Sequence, residues 1–190
     1  MERASPWAGC NLRAVRRLAL AVIAALVLAG CGNAAYVREA DTEGTYVDVA
    51  GLTYQVQLSR YLNPADPEDR EYLIGAPGAL QANKQIWFGV WMRVKNYSDQ
   101  PATPTTEFTI TDTLNNKFTP VTLPATNVFA YHAAPLGHSN VYPTPDTAAA
   151  SGPIQGSLIL FKLDESSIAN RPLVLHVGSG NAEATVSLDL

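Results

Sequence analysis

The chain has 190 residues, with 13 Lys and Arg against 17 Asp and Glu and a net charge of −4 at pH 7. An acidic chain is repelled by nucleic acid phosphates, which excludes nucleic acid as a partner. The length suits one domain, and two cysteines leave no scope for a disulfide framework.

Arg3, Arg13, Arg16 and Arg17 precede an unbroken apolar run from Leu18 to Leu28, and the small residues Ala29 and Gly30 follow. Spanning a bilayer as a helix takes about 20 apolar residues, so this shorter run reads as an export signal over 1–30. Basic residues ahead of an apolar core are common in any signal. No Phe follows Arg16-Arg17 at the place expected for twin-arginine export, so general secretion is favoured. Leu28-Ala29-Gly30-Cys31 resembles the lipobox of bacterial lipoproteins. The resemblance implies cleavage between Gly30 and Cys31 and a diacylglyceryl anchor on the Cys31 sulfur. Cys10 leaves with the signal, so the mature chain keeps no free thiol, disulfide or thiolate metal ligand. Nine basic and 16 acidic side chains remain in it, a net charge of −7. Membrane attachment is therefore expected to rest on the lipid rather than on a basic patch.

Residues 31–44 show no period and read as a tether, which places the domain at 45–190. Beyond it the period is two. In LTYQVQLS, Leu52, Tyr54, Val56 and Leu58 share one face, the pattern of a half-buried strand. IWFGVWMRVKN (86–96) and EFTITD (107–112) are further strands, and Leu114 to Lys117 turns into FTPV. GSLILFKL (156–163) reads as a central strand, and PLVLHV (172–177) and ATVSLDL (184–190) complete the set. No segment has a helical period, although Asp164 to Asn170 can form one turn. About seven short antiparallel strands with turns between them predict an all-β, immunoglobulin-like β-sandwich.

VDVAGLTYQVQLS, VWMRVKNYSDQPATPTTEFTITDTLNNKF, GSLILFKLDESS and RPLVLHV, in this order, resemble a family of bacterial envelope domains known as DUF4352-like. That resemblance implies an immunoglobulin-like sandwich and says little about activity. Two inserts depart from the pattern, an acidic one at 62–83 and a Pro-rich one at 119–153.

Asp66, Glu68, Asp69 and Glu71 in the first insert suit a hard cation in residue type, but Pro64 and Pro67 stiffen the chain between them, and a solvated loop is expected. His132 and His138 flank AAPLG and alone make an incomplete metal shell. His176 lies in a strand, where a structural role is expected. No metal or cofactor is predicted. GxSxG is absent, and no Gly-rich loop leads into a helix. An enzyme would need a site assembled across loops, with carboxylates such as Glu107 and Asp112.

The aromatic residues attract more attention. On strand 86–94, Trp87 and Trp91 share the face opposite Ile86, Phe88, Val90, Met92 and Val94, with Gly89 between them. Exposed, two Trp about 13 Å apart would form a stacking platform for a sugar or peptide. Large exposed apolar patches are uncommon, so the expected arrangement is that segment 119–153 covers them through Val128, Phe129, Tyr131 and Tyr142. Trp87, Trp91, His132 and His138 are accordingly the candidate binding surface. Together these features predict a lipid-anchored, extracytoplasmic, non-catalytic module that contacts an envelope protein or glycan. A lipoprotein binding a small ligand or metal through 119–153 is the first alternative, and a loop-assembled enzyme the second.

Overall fold

The computed structural model describes residues 36–81, 84–178 and 180–188. The expected signal peptide 1–30, with Gly30, Cys31 and the start of the tether, lies outside them. Among the described residues no helix is long and apolar enough to cross a membrane.

The chain enters through β1 (Glu39–Ala40) and β2 (Tyr46–Val49), then runs through β3 (Leu52–Leu62), β4 (Gln85–Lys95), β5 (Phe108–Thr111), β6 (Lys117–Phe118) and β7 (Pro120–Val121). β8 (Val141–Tyr142), β9 (Ser157–Asp164), β10 (Leu173–Val177) and β11 (Ala184–Leu188) follow, and short helices α1 (Pro67–Tyr72) and α2 (Ala148–Ser151) sit in the two inserts. One sheet has the order β1-β11-β10-β5-β6; the other has β2-β3-β4-β9-β7, with β8 added beside β4. The architecture is the expected β-sandwich. Among the described strands pairing is antiparallel except between β1 and β11, and an isolated parallel bridge joins Ala130 to Leu158 of β9.

Alternation builds the core. Val47, Tyr54, Val56, Phe88, Val90 and Phe161 of one sheet meet Phe108, Ile110, Leu173, Leu175 and Val186 of the other. One expectation fails within β3. A register shift between Val56 and Leu58 turns Leu58 away from Leu52, Tyr54 and Val56 and onto the opposite face.

Two segments change sheets and close the sides of the sandwich. Lys117–Phe118 pairs with β5, and two residues later Pro120–Val121 pairs with β9. At the other side, Asp48 N–H donates to Val37 O at 2.7 Å while Thr185 N–H donates to Arg38 O at 2.8 Å. Residues 37–40, expected as tether, are thus bound to both sheets. The one-turn expectation at 164–170 is met by a 3-10 helix at Glu165–Ile168. Helix α1 was not expected, yet its start is encoded. Asp66 Oδ1 accepts from Glu68 and Asp69 N–H, and Pro67 occupies the first turn.

Candidate functional site

β4 is buried on both faces from Trp87 to Met92. Trp87 is 4% exposed and Trp91 0%, so neither is available as a binding surface. The reason lies in both inserts. Tyr72 of α1 packs edge-on against Trp91 at 5.1 Å and against Phe129 at 4.7 Å. Leu62, Leu123, Phe129, Ala130, Leu158 and Leu160 complete this second cluster. Of the four covering residues expected, only Phe129 takes that place. Val128 is exposed, and Tyr131 and Tyr142 pack against the core between the sheets.

Buried Asn127 joins the inserts. Its Nδ2 donates to Tyr72 O at 2.9 Å and Ile74 O at 3.0 Å, and its Oδ1 accepts from Phe129 N–H at 3.0 Å. The acidic stretch takes part in the same cover. Asp69 is buried, pairs with Arg60 at 2.5 Å and accepts from Asn63 N–H at 2.7 Å. Arg60 in turn lies 5.6 Å from the Trp91 ring centroid and 5.9 Å from that of Tyr72. Asp66, Glu68 and Glu71 are exposed, as a solvated loop requires, and only Asp69 turns inward to join the cover. Among the described residues no group of three or more His, Cys, Asp or Glu can hold a metal ion.

A cleft of about 310 Å³ opens where β7 and the 129–131 segment flank β9. Phe108, Val121, Tyr131 and Leu160 line it with apolar surface, and Thr106, Thr122 and His132 supply polar groups. Its walls are fixed by tyrosines. Tyr131 OH donates to Thr105 O at 2.9 Å, and Tyr54 OH accepts from Thr105 N–H at 2.8 Å. Tyr131 stacks edge-on against Phe108 at 5.2 Å and Tyr142 at 5.3 Å. Burial pushes Tyr54 up to about 12, against the lowering effect of the Thr105 hydrogen bond. Tyr131 is pushed higher by burial and by neighbouring Tyr54 and Tyr142, so both hydroxyls stay protonated at physiological pH. Tyr142 OH accepts from the His132 N–H at 2.7 Å, which sets His132 at the exposed rim.

His138 serves another place. Its Nδ1 lies 2.9 Å from Ser98 O and 3.5 Å from Asp99 Oδ1, and it does not line the cleft. Asp112 is buried and holds the turn before β6. It accepts from Leu114 N–H, Asn116 N–H, Asn116 Nδ2, Asn170 Nδ2 and the Ser167 hydroxyl. Burial pushes its carboxyl up, but the hydrogen bonds from Asn116, Asn170 and Leu114 outweigh this and hold it below 3.8. Thr111 Oγ1, His176 Nε2, His176 Nδ1 and Glu183 Oε1 form a chain with contacts of 3.0 and 2.5 Å. It resembles a nucleophile-base-carboxylate arrangement in order, but it lies on an open sheet face and outside the cleft.

No family model and no curated protein matches the chain. Similar solved structures include a candidate lipoprotein, ycdA, of Bacillus subtilis, with 12% identity, a TM-score of 0.49 and 76% of this chain covered. This chain spans 38% of that protein's length. The yjhA protein of Bacillus subtilis has 10% identity and a TM-score of 0.44 over 78% of this chain and 99% of its own. An uncharacterised β-sandwich protein of Clostridium difficile has 7% identity and a TM-score of 0.41 over 83% and 100%. No function follows from likeness at this level.

Proposed function

We propose that the protein is a lipid-anchored, extracytoplasmic accessory module of the bacterial envelope, of DUF4352-like type, that binds a partner without catalysing a reaction. The cleft is the observation that carries this reading. It has the size and mixed lining of a binding site, with apolar side chains beside Thr106, Thr122 and His132. An apolar side chain of an envelope protein would seat on Phe108, Tyr131 and Leu160, and Thr106, Thr122 and His132 would meet its backbone. The lipid on Cys31 would keep the cleft near the membrane. Support for a non-catalytic role comes from where the reactive groups sit. Asp112 is committed to a turn, and the Thr111-His176-Glu183 chain has no enclosing walls among the cleft residues.

A photocrosslinking side chain at Thr122, compared with one at Ser187 on the far sheet, tests this in intact membranes. A discrete adduct from Thr122 that disappears when Thr106→Trp fills the cleft is expected. Identical patterns from both positions would refute it. The same cleft also favours a small-ligand reading, for which saturable binding that depends on His132 but not His138 is the discriminating result.

A further inference from the structure

If Cys31 carries the lipid, as proposed above, the chain between lipid and fold is short. Val37 is already bound on both sides of its peptide. Its O accepts from Asp48 N–H, and its N–H donates to Asp48 Oδ2 at 3.2 Å. Five residues, 32–36, separate it from Cys31. Even fully extended they reach about 20 Å, comparable to the radius of gyration of about 15 Å expected for a domain of this size. The side of the domain where the chain enters would thus stay within about 20 Å of the membrane surface.

That side is β2, the outer strand of its sheet. Its outward residue Tyr46 is 49% exposed and stands opposite Gln55, which in turn stands opposite Arg93 of β4. Tyr46, Thr53, Arg93, Lys95 and Tyr97 line one shallow indentation of about 70 Å³. Lys95 Nζ lies 4.3 Å from the Tyr97 ring centroid, and Tyr97 is 59% exposed. Asp48, the acidic residue on these strands' outer face, has both oxygens engaged, one by Val37 N–H and one by the Thr53 hydroxyl at 2.9 Å. Arg93 and Lys95 set two cations among exposed tyrosines beside the chain's entry, while Glu39 and Asp41 of the entering segment are exposed and Asp146 lines a second indentation with Arg93. Tyr and Lys or Arg are the residue types that settle at a headgroup interface.

We infer that this face, Tyr46, Arg93, Lys95 and Tyr97, docks onto the anionic headgroups of the bilayer that holds the anchor. The lipid supplies attachment and the patch supplies orientation. Docking with β2 and β4 against the membrane leaves the opposite sheet, with Thr111, His176 and Ser187, facing away.

The test uses full-length protein, purified from membranes and reconstituted into phosphatidylethanolamine–phosphatidylglycerol vesicles containing a headgroup-spin-labelled lipid. Gln55→Cys on the patch or Ser187→Cys on the far sheet carries a fluorophore. Strong quenching at 55 and weak quenching at 187 are expected. Arg93→Gln with Lys95→Gln should lower the docked-to-undocked ratio roughly 25-fold, at about fivefold per cation near an anionic surface, while the protein still sediments with the vesicles. Sedimentation with equal quenching at both sites, or quenching at 55 that ignores the charge change, would overturn docking and leave the anchor intact. Failure to sediment, with fluorophore taken up by Cys31 in the chain lacking an added cysteine, would overturn both.

Discussion

Gly89→Ala is a small change with a computable effect. A Cβ at Gly89 would lie 2.8 Å from Cη2 and Cζ3 of Trp91 and 3.0 Å from Cδ1 of Leu158. Ordinary carbon contacts are about 3.5–4.0 Å, so the methyl overlaps the ring by close to an ångström. Trp91 is 0% exposed and packed edge-on against Tyr72, which leaves it nowhere to move. Overpacking of this kind costs about 1–3 kcal/mol. Restricting the unfolded chain returns about 0.4–1 kcal/mol, because Gly89 has a backbone that Ala can adopt. Overlap wins, and the net loss is about 1–2 kcal/mol. With a urea slope of about 2 kcal/mol per molar, the unfolding midpoint falls by about 0.5–1 M. Trp fluorescence reports it directly, since Trp87 and Trp91 are the only Trp after Cys31. Adding Trp91→Phe should recover part of the Gly89→Ala loss, seen as a coupling energy between the two sites. An unchanged or higher midpoint in Gly89→Ala would mean that the ring does not rest on Gly89, and the sealed outer face would be refuted.

Asn127→Ala strips three hydrogen bonds from the junction of the inserts and should lower stability by about 2–4 kcal/mol; acrylamide should then quench the Trp fluorescence more strongly in the native state. Asp112→Ala should cost about 2–3 kcal/mol at pH 7. Because its folded pKa lies below the free value of 3.8, the charge-linked part of this contribution is complete above that value and is lost as pH falls through the lower folded pKa. The difference between the urea midpoints of wild type and Asp112→Ala should therefore narrow only in strongly acidic solution. Tyr131→Phe should cost about 1 kcal/mol by leaving Thr105 O without its donor, and should weaken whatever the cleft binds by loosening the Thr105–Thr106 wall.

The long strands were legible because each carries its own period. Phe88, Val90, Met92 and Val94 announce one buried face, and Leu173, Leu175 and Val177 another. What failed depended on partners distant in sequence. Leu58 continues the alternation of Leu52 to Val56 in the sequence, and only the bulge beside Gln57 turns it over. Strands β1, β7 and β8 are two residues long, so their pairing is decided by β11, β9 and β4 and not by their own composition. That is why residues 37–40 read as tether. The acidic stretch hid a helix start that Asp66-Pro67 does encode, and burial of Asp69 requires Arg60 from β3. The Trp pair calls for a cover, but half of that cover, Tyr72, comes from the other insert. His132 and His138 have the same chemistry in the sequence, yet His132 lies at a cleft and His138 on a turn.

Intact mass of the membrane-extracted protein tests the lipid on Cys31 directly. A chain beginning at Cys31 and carrying a diacylglyceryl mass, lost together with membrane retention in Cys31→Ser, is the predicted result. An unmodified chain that begins elsewhere would contradict the lipid anchor and the orientation built on it.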